Sequence, residues 1–342
     1  MVRGWKQWVV GLSGTGTVLF VGGCYYFRRR TAAPKLQEKF QLDGRTYVVT
    51  GGTSGIGKAC VKQLVRNGAY VIVGGRDMTR RDALIEELAA EHVATGTGKC
   101  DVLPLDLEDA TSVAAFAADV ETLCGGSLHG LLNNASVIEC EHRRTEAGLE
   151  TTFATNVLGP FQLTNSLLPM LLKTGAISHK RADAAHNGSR ARIVFVGSRL
   201  DSKGWVDPAA LLTAGVMFQE ERASSKTGIP GLQTKRTSAM LVYACSKLCT
   251  SLLSAELHRR LHGCPIDILC VSPGMVNTEL WRNYPQWYRA LTWPFRRFYL
   301  RTPEEAAAGV VLCLVAPQLA NMGGQLIADG KARIIANSPF WI

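Results

Sequence analysis

Tyr47-Val48-Val49-Thr50-Gly51-Gly52-Thr53-Ser54-Gly55-Ile56-Gly57 is the stretch that decides the fold. Tyr47 to Val49 reads as a buried strand, because a short, continuously apolar run suits a sheet covered on both faces. The glycines after it permit a tight turn and a close approach of backbone to a ligand. Ile56, Cys60, Val61, Leu64 and Val65 then recur at helical spacing, and Gly68 ends the run. Strand, glycine turn and helix in that order point unpaired N–H groups and the positive end of the helix dipole at an anion. The pyrophosphate of a dinucleotide is such an anion. The spacing here is G-x-x-x-G-x-G, not the commoner G-x-G-x-x-G.

Outward from this turn, Tyr70 to Val73 reads as a second strand, followed by Gly74-Gly75-Arg76-Asp77. A carboxylate at such a strand end binds a ribose 2′-hydroxyl, whereas an arginine meets a 2′-phosphate. Arg76 comes first and Asp77 suits a helix cap, so NADP(H) is expected in preference to NAD(H). A helix over Arg81 to Glu91 follows. Further strands are expected at Val102–Leu105, Leu128–Leu132, Arg192–Val196, Ile266–Val271 and Gln325–Ala328, with helical stretches between most of them. That alternation predicts an α/β fold, a doubly wound parallel sheet of the Rossmann type. It forms a single domain over residues 40–342.

The composition agrees. The chain has 342 residues, 46% apolar and 19% charged, which excludes an intrinsically disordered protein. Its 10 cysteines are scattered with no C-x-x-C pair, which argues against a disulfide framework or a zinc site, and no metal is expected. Lys and Arg number 38 against 28 Asp and Glu, a net charge of +10. Such a balance suits nucleic acid, an anionic membrane face or a phosphate-rich cofactor.

Trp8 through Phe27 carries no charge, and as a helix it would span about 30 Å, the thickness of a bilayer core. Trp8 and Tyr25-Tyr26 stand at its ends, where interfacial aromatics sit. Arg3 and Lys6 precede it, and Arg28, Arg29 and Arg30 follow at once. A cleaved signal peptide carries its positive charge before the apolar run. The heavier positive side stays cytoplasmic. Residues 1–30 are therefore expected to be a single-pass anchor in the endoplasmic reticulum or another organelle membrane. Residues 31–39 would be a linker, and the domain would face the cytosol.

Further motifs lie in order along the chain: Asp106-Leu107, Asn133-Asn134-Ala135-Ser136, Thr155-Asn156-Val157, Val196-Gly197-Ser198, Tyr243-Ala244-Cys245-Ser246-Lys247 and Ser272-Pro273-Gly274-Met275-Val276-Asn277-Thr278. With the turn at Thr50 to Gly57, they resemble the short-chain dehydrogenase/reductase family from about Gly44 to Gly330. The turn matches TGxxxGxG. Asp106-Leu107 matches the pair that holds adenine. Asn133 to Ser136 matches NNAG, with serine for glycine. Tyr243 and Lys247 match YxxxK, and Pro273 to Thr278 match PGxVxT beside the nicotinamide. The resemblance implies a catalytic set of Asn156, Ser198, Tyr243 and Lys247. It implies cofactor contacts at Gly51, Thr53, Ser54, Gly55, Ile56, Gly57, Arg76, Asp106, Leu107, Asn133, Ala135, Tyr243, Lys247, Pro273, Val276 and Thr278.

These residues also make chemical sense by themselves. Tyr243 and Lys247 are four apart and share one helix face. A nearby ammonium stabilises phenolate and lowers a tyrosine pKa from about 10. Such a tyrosine gives a proton to a carbonyl oxygen, or takes one from an alcohol, as hydride moves at carbon. Ser198 would hydrogen-bond the same oxygen and position it. The resemblance adds Lys247 on the nicotinamide ribose and Asn156 holding a water that links the lysine to solvent.

Insertions are expected at about 174–190 and 199–241, and a substrate lid at about 279–301. The lid alternates Trp281, Tyr284, Trp287, Tyr288, Trp293, Phe295, Phe298 and Tyr299 with Arg282, Arg289, Arg296, Arg297 and Arg301. This mixture suits the wall of a lipophilic pocket or a membrane interface. Stacking on single-stranded nucleic acid is a third reading. The anchor, Arg76 and Thr302-Pro303-Glu304-Glu305 resemble the retinol dehydrogenase-like branch of the family. The expectation is an NADP(H)-dependent oxidoreductase that interconverts a carbonyl and an alcohol on a retinoid, steroid or other lipid. Its expected partners are that substrate and a membrane, without nucleic acid, and a homo-oligomer is compatible. A catalytically silent, nucleotide-binding scaffold on the same fold is the rival, and the intact catalytic set argues against it.

Overall fold

The computed structural model describes residues 40–92, 98–141, 143–180, 190–214, 239–279, 286–328 and 331–334. The expected anchor and linker lie outside these, as do parts of both insertions and of the lid.

In chain order the elements are β1 (Thr46–Thr50), α1 (Gly55–Arg66), β2 (Tyr70–Gly75), α2 (Thr79–His92), β3 (Lys99–Pro104), α3 (Ala110–Cys124) and β4 (Gly130–Asn133). A short helical turn (Thr151–Phe153) and a π-helical turn (Ala154–Leu158) lead into α4 (Gly159–Lys180). Then come β5 (Ala191–Val196), a 3-10 turn (Arg199–Lys203), α5 (Pro208–Ala214), α6 (Ala239–Arg260), β6 (Ile266–Ser272), α7 (Gln286–Tyr299), α8 (Pro303–Val315), β7 (Gln325–Ala328) and β8 (Lys331–Ile334).

The strands form one sheet in the order β3-β2-β1-β4-β5-β6-β7-β8. The first seven run parallel, and β1 lies between β2 and β4, with Val48 opposite both Ile72 and Leu131. The last pairing departs from the expected all-parallel sheet: β8 returns antiparallel on β7, with Gln325 opposite Ile334. Lys331-Ala332-Arg333-Ile334 has no continuous apolar run, so the sequence carried no strand signal there. A short, basic strand is also what keeps a sheet edge from pairing with another chain.

Side chains alternate along β1 and feed a core on each face of the sheet. Val49 packs with Val61, Leu64, Val73, Val310 and Leu314, under α1 and α8. Val48 packs with Ile72, Phe116, Leu131, Leu163 and Ile193, under α3 and α4. Continuously apolar strands are thus explained by burial on both sides.

The α1 contact with β2 also fixes one glycine of the turn. A Cβ on Gly52 would stand 2.7 Å from Val73 and 2.9 Å from Val61, so only glycine lets the helix close on the sheet. Helix α6 is long and apolar enough to cross a membrane by composition, yet most of it is buried inside the domain. It packs on β6 and on the 3-10 turn after β5 as a core helix. The described cysteines are free thiols.

Candidate active site

Strand order reverses between β1 and β4, and ligand sites of open α/β sheets lie beyond the carboxyl ends of the strands at such a point. A cleft of 540 Å³ is found there. At one end it is lined by Gly51, Thr53, Ser54, Gly55 and Ile56. Gly51 and Gly55 hold φ of +65° and +53°, a region that favours glycine. Ser54, the residue before α1, makes no side-chain cap, and the first turn holds no acid. The orphan N–H groups of this helix start therefore keep their affinity for an anion. Asn134 ties the turn to β4. Its Nδ2 donates to the Thr50 and Gly51 carbonyls at 2.9 and 3.2 Å, and the backbone amides of Asn134 and Ala135 donate to Thr50 Oγ1 at 3.0 Å each.

Arg76 leaves β2 at the side of this end, 3.0 Å from Glu108, which also accepts from Thr155 Oγ1 at 3.1 Å. Asp77 is occupied at the start of α2. It accepts from the Thr79 amide at 3.1 Å and from Arg80 Nε at 2.9 Å. The Thr79 hydroxyl above all, then the Thr79 amide and Arg80, hold its carboxyl below the usual range. Arg80 also bonds Glu279 across the cleft mouth.

At the other end α6 presents Tyr243 and Lys247, both buried. Lys247 Nζ donates to the Val196 carbonyl at 2.7 Å, where β5 ends, and lies 5.5 Å from the Tyr243 ring centroid. Ser198 follows that strand end, and its Oγ accepts from the Leu200 amide at 3.2 Å, opening the 3-10 turn. Burial pushes the Lys247 pKa down to about 8. Burial pushes the Tyr243 phenol above its ordinary value, against the hydroxyls of Ser136 and Ser198, which pull it back. This corrects the expected lowering by Lys247. Both groups are dry, and the ammonium is directed to a carbonyl rather than to the phenol oxygen.

Asn156 stands behind this wall. Its π-helical turn is the kind of local widening that recurs at functional sites. Its Oδ1 accepts from the Val137 amide at 2.8 Å, and its Nδ2 donates to the Val137 carbonyl and to Ser246 Oγ, each at 3.0 Å. Ser246 in turn donates to the Tyr243 carbonyl at 2.7 Å. The side chain braces the loop after β4 against α6.

A family model described as short chain dehydrogenase matches residues 45–210. Polyprenol dehydrogenase of Mus musculus is 34% identical over 84% of this chain and 76% of its own length. The chain belongs to the short-chain dehydrogenase family. Retinol dehydrogenase 11 of Homo sapiens is 32% identical over 84% of this chain and 78% of its own. Among solved structures, a Pseudomonas aeruginosa RhlG/NADP active-site complex superposes with a TM-score of 0.59 at 25% identity, covering 85% of this chain and 97% of that one. As a short-chain dehydrogenase, the protein is an oxidoreductase of alcohol and carbonyl groups.

Of the residues named from this short-chain dehydrogenase's sequence, Gly51, Thr53, Ser54, Gly55, Ile56, Arg76, Leu107, Ala135, Ser198, Tyr243, Lys247, Pro273, Val276 and Thr278 line the cleft together. Four do not. Gly57 packs under the turn, where a Cβ would stand 2.3 Å from the Gly51 carbonyl oxygen. Asp106 turns its carboxylate onto the Glu108 amide at 3.0 Å. Asn133 is buried, donating to Thr164 at 3.0 Å. Asn156 is the fourth. Asn134, Arg80, Glu279 and Thr155 line the cleft without having been expected as site residues, and so does Asp77, which the sequence places as a helix cap. Asn134 had a signal, as the second asparagine of its motif; Arg80 and Glu279 had none. In the lid, residues 280–285 lie outside the described ones. Helix α7 exposes Trp287, Leu291 and Trp293 at 68%, 73% and 59%. Arg301, at the end of that stretch, is buried and donates to the Pro273 carbonyl at 2.9 Å. Thr302 and Glu305 form a capping box that starts α8.

Proposed function

We propose that this short-chain dehydrogenase interconverts a carbonyl and an alcohol on a lipophilic substrate with NADP(H), Tyr243 moving the proton. The observation that carries the reading is the pairing of two ends in one cleft. Ser198, Tyr243 and Lys247 stand at one, and an uncapped helix start with Arg76 stands at the other. The donor set fits the cofactor. The N–H groups of α1 suit a pyrophosphate, Arg76 beside Glu108 suits a 2′-phosphate, and Asp77 is engaged as the cap of α2. NADP in the RhlG complex supports the same choice. Bound NADP(H) supplies or accepts the hydride. Ser198 Oγ holds the substrate oxygen, and Tyr243 gives that oxygen a proton in reduction or takes one in oxidation. Lys247 places positive charge beside the ring and would hold a ribose hydroxyl of the bound cofactor. Asn156 keeps the loop after β4 and α6 in register.

Retinol and polyprenol, in the names of the relatives, are long apolar alcohols, which supports a retinoid, steroid or other lipid as substrate. The proposal includes a membrane. Residues 1–30 anchor the chain with its domain on the cytosolic side, and the exposed apolar residues of α7 meet the lipid surface. Deleting residues 1–30 should release the protein from membranes; persistent binding would transfer the anchoring role to another surface.

The test is a panel of retinoid, steroid and polyprenyl carbonyls, run with NADPH and NADH in parallel on the full chain. Turnover with NADPH is expected, and Tyr243→Phe should abolish it while keeping NADPH affinity. Cofactor binding without turnover on any member of the panel would overturn the reading in favour of a silent scaffold.

A further inference from the structure

We propose that Ser136 is a positioning residue for the reaction: a second hydroxyl that holds the Tyr243 oxygen and donates to it once the phenol has lost its proton. The inference rests on the role proposed for Tyr243. Ser136 occupies the position where the family motif has glycine, in Asn133-Asn134-Ala135-Ser136. It lines the same cleft as Ser198, Tyr243 and Lys247. Its Oγ is buried and makes no hydrogen bond of ordinary geometry among the described residues. Buried hydroxyls are nearly always bonded, so one left over in a cleft is available to a group that changes during the reaction. That group is close by. Burial raises the phenol pKa, and of the two hydroxyls that oppose it Ser136 has the larger effect, ahead of Ser198. The hydroxyl is thus near enough to act on the phenol without being committed to it.

The chemistry requires donors at this oxygen. Proton transfer to the substrate leaves a phenolate in a dry site, and each N–H or O–H that bonds the charged form lowers the pKa. From α6 the neighbouring charge is Lys247, whose Nζ is held by the Val196 carbonyl. Ser198 comes from the end of β5, and Ser136 from the loop after β4. From β6, Cys270 sits beside Lys247 and is a neutral thiol, its pKa pushed up to about 11 by burial. Asp201, in the 3-10 turn, is buried and accepts from Ser251 at 3.1 Å, one step farther off. Asn156, in the π-helical turn, is neutral. Among the described residues, Ser136 and Ser198 are the two hydroxyls that oppose the burial of the phenol, and a glycine at 136 would leave one.

The experiment is an ultraviolet titration of tyrosinate in the full chain with NADP⁺ bound. The Tyr243→Phe spectrum is subtracted to isolate one phenol, and wild type is compared with Ser136→Ala and Ser136→Gly. Both variants should raise the Tyr243 ionisation by about one pH unit, the effect of one hydrogen bond to a charged group. The acidic limb of kcat/KM for alcohol oxidation should move by the same amount, about a tenfold loss of rate below it. The KM for NADP⁺ should not move. Titration of either variant like wild type would overturn the proposal. So would a difference between Ala and Gly, because the Cβ rather than the hydroxyl would then matter. A shifted titration without turnover in any form would count against the proposed reaction and leave the contact between Ser136 and Tyr243 standing.

Discussion

Lys247→Met should yield a protein that is inactive and more stable than wild type at neutral pH. Lys247 is buried, with Nζ on the Val196 carbonyl at 2.7 Å. Burial takes its pKa from 10.5 to about 8. The folded protein therefore holds this proton less tightly than the unfolded chain by about 3 kcal/mol. Below pH 8 both states carry the proton and that cost is present in full. Between pH 8 and 10.5 the folded protein has released it while the unfolded chain keeps it, so stability from this group rises with pH. Methionine keeps the length of the side chain and removes the charge. It also leaves the Val196 carbonyl without Nζ, at a cost of about 1–2 kcal/mol. The net gain at pH 7 is about 1–2 kcal/mol, and it should vanish or reverse near pH 10. The buried thiols act in the other direction. Burial raises Cys245 and Cys270 to about 11, so their contribution is present below the ordinary thiol value of 9.0 and is lost as pH rises toward 11. Wild type and variant share that loss, and their difference isolates the lysine. Urea unfolding of the detergent-solubilised full chain, followed by tryptophan fluorescence from pH 7 to 10, measures it. A variant less stable at pH 7, or an advantage that does not change with pH, would refute the reasoning.

Arg76→Leu should weaken NADPH about tenfold to a hundredfold, the range of one or two charge-assisted hydrogen bonds, and leave NADH nearly unchanged. Fluorescence titration with both nucleotides checks this, and an equal loss for the two removes Arg76 from the phosphate. Gly57→Ala should destabilise the domain by about 1–3 kcal/mol, although alanine is the better helix former, because its Cβ would meet the Gly51 carbonyl oxygen at 2.3 Å. A thermal midpoint equal to or above wild type would show that the turn can shift.

The strands and helices of the sheet were legible because burial on both faces writes a continuous apolar run, as in Val71 to Val73 or Ile193 to Val196. Strand β8 was not, since an edge strand needs polarity rather than burial. Within the site, motif residues are of two kinds that spacing does not separate. Thr53, Ala135 and Ser198 face the cleft, whereas Gly57, Asp106, Asn133 and Asn156 support the residues that do. Asn134 shows how close the two kinds lie: its side chain bonds the Thr50 and Gly51 carbonyls while it also lines the cleft. The pairing of Arg80 with Glu279 joins α2 to the loop after β6. No local pattern encodes a contact between segments that far apart.

The sign of the Tyr243 shift is the most informative disagreement. Spacing along a helix places an ammonium beside a phenol, and in water that would favour phenolate. Here the Val196 carbonyl holds the ammonium, and burial acts on both groups in the same sense, toward their uncharged forms. At neutral pH the phenol is uncharged, and the lysine still carries its proton but holds it less tightly than in water. On this argument the proton affinity of Lys247 is the quantity the fold adjusts. The stability of the methionine variant across pH reads that affinity without needing a substrate.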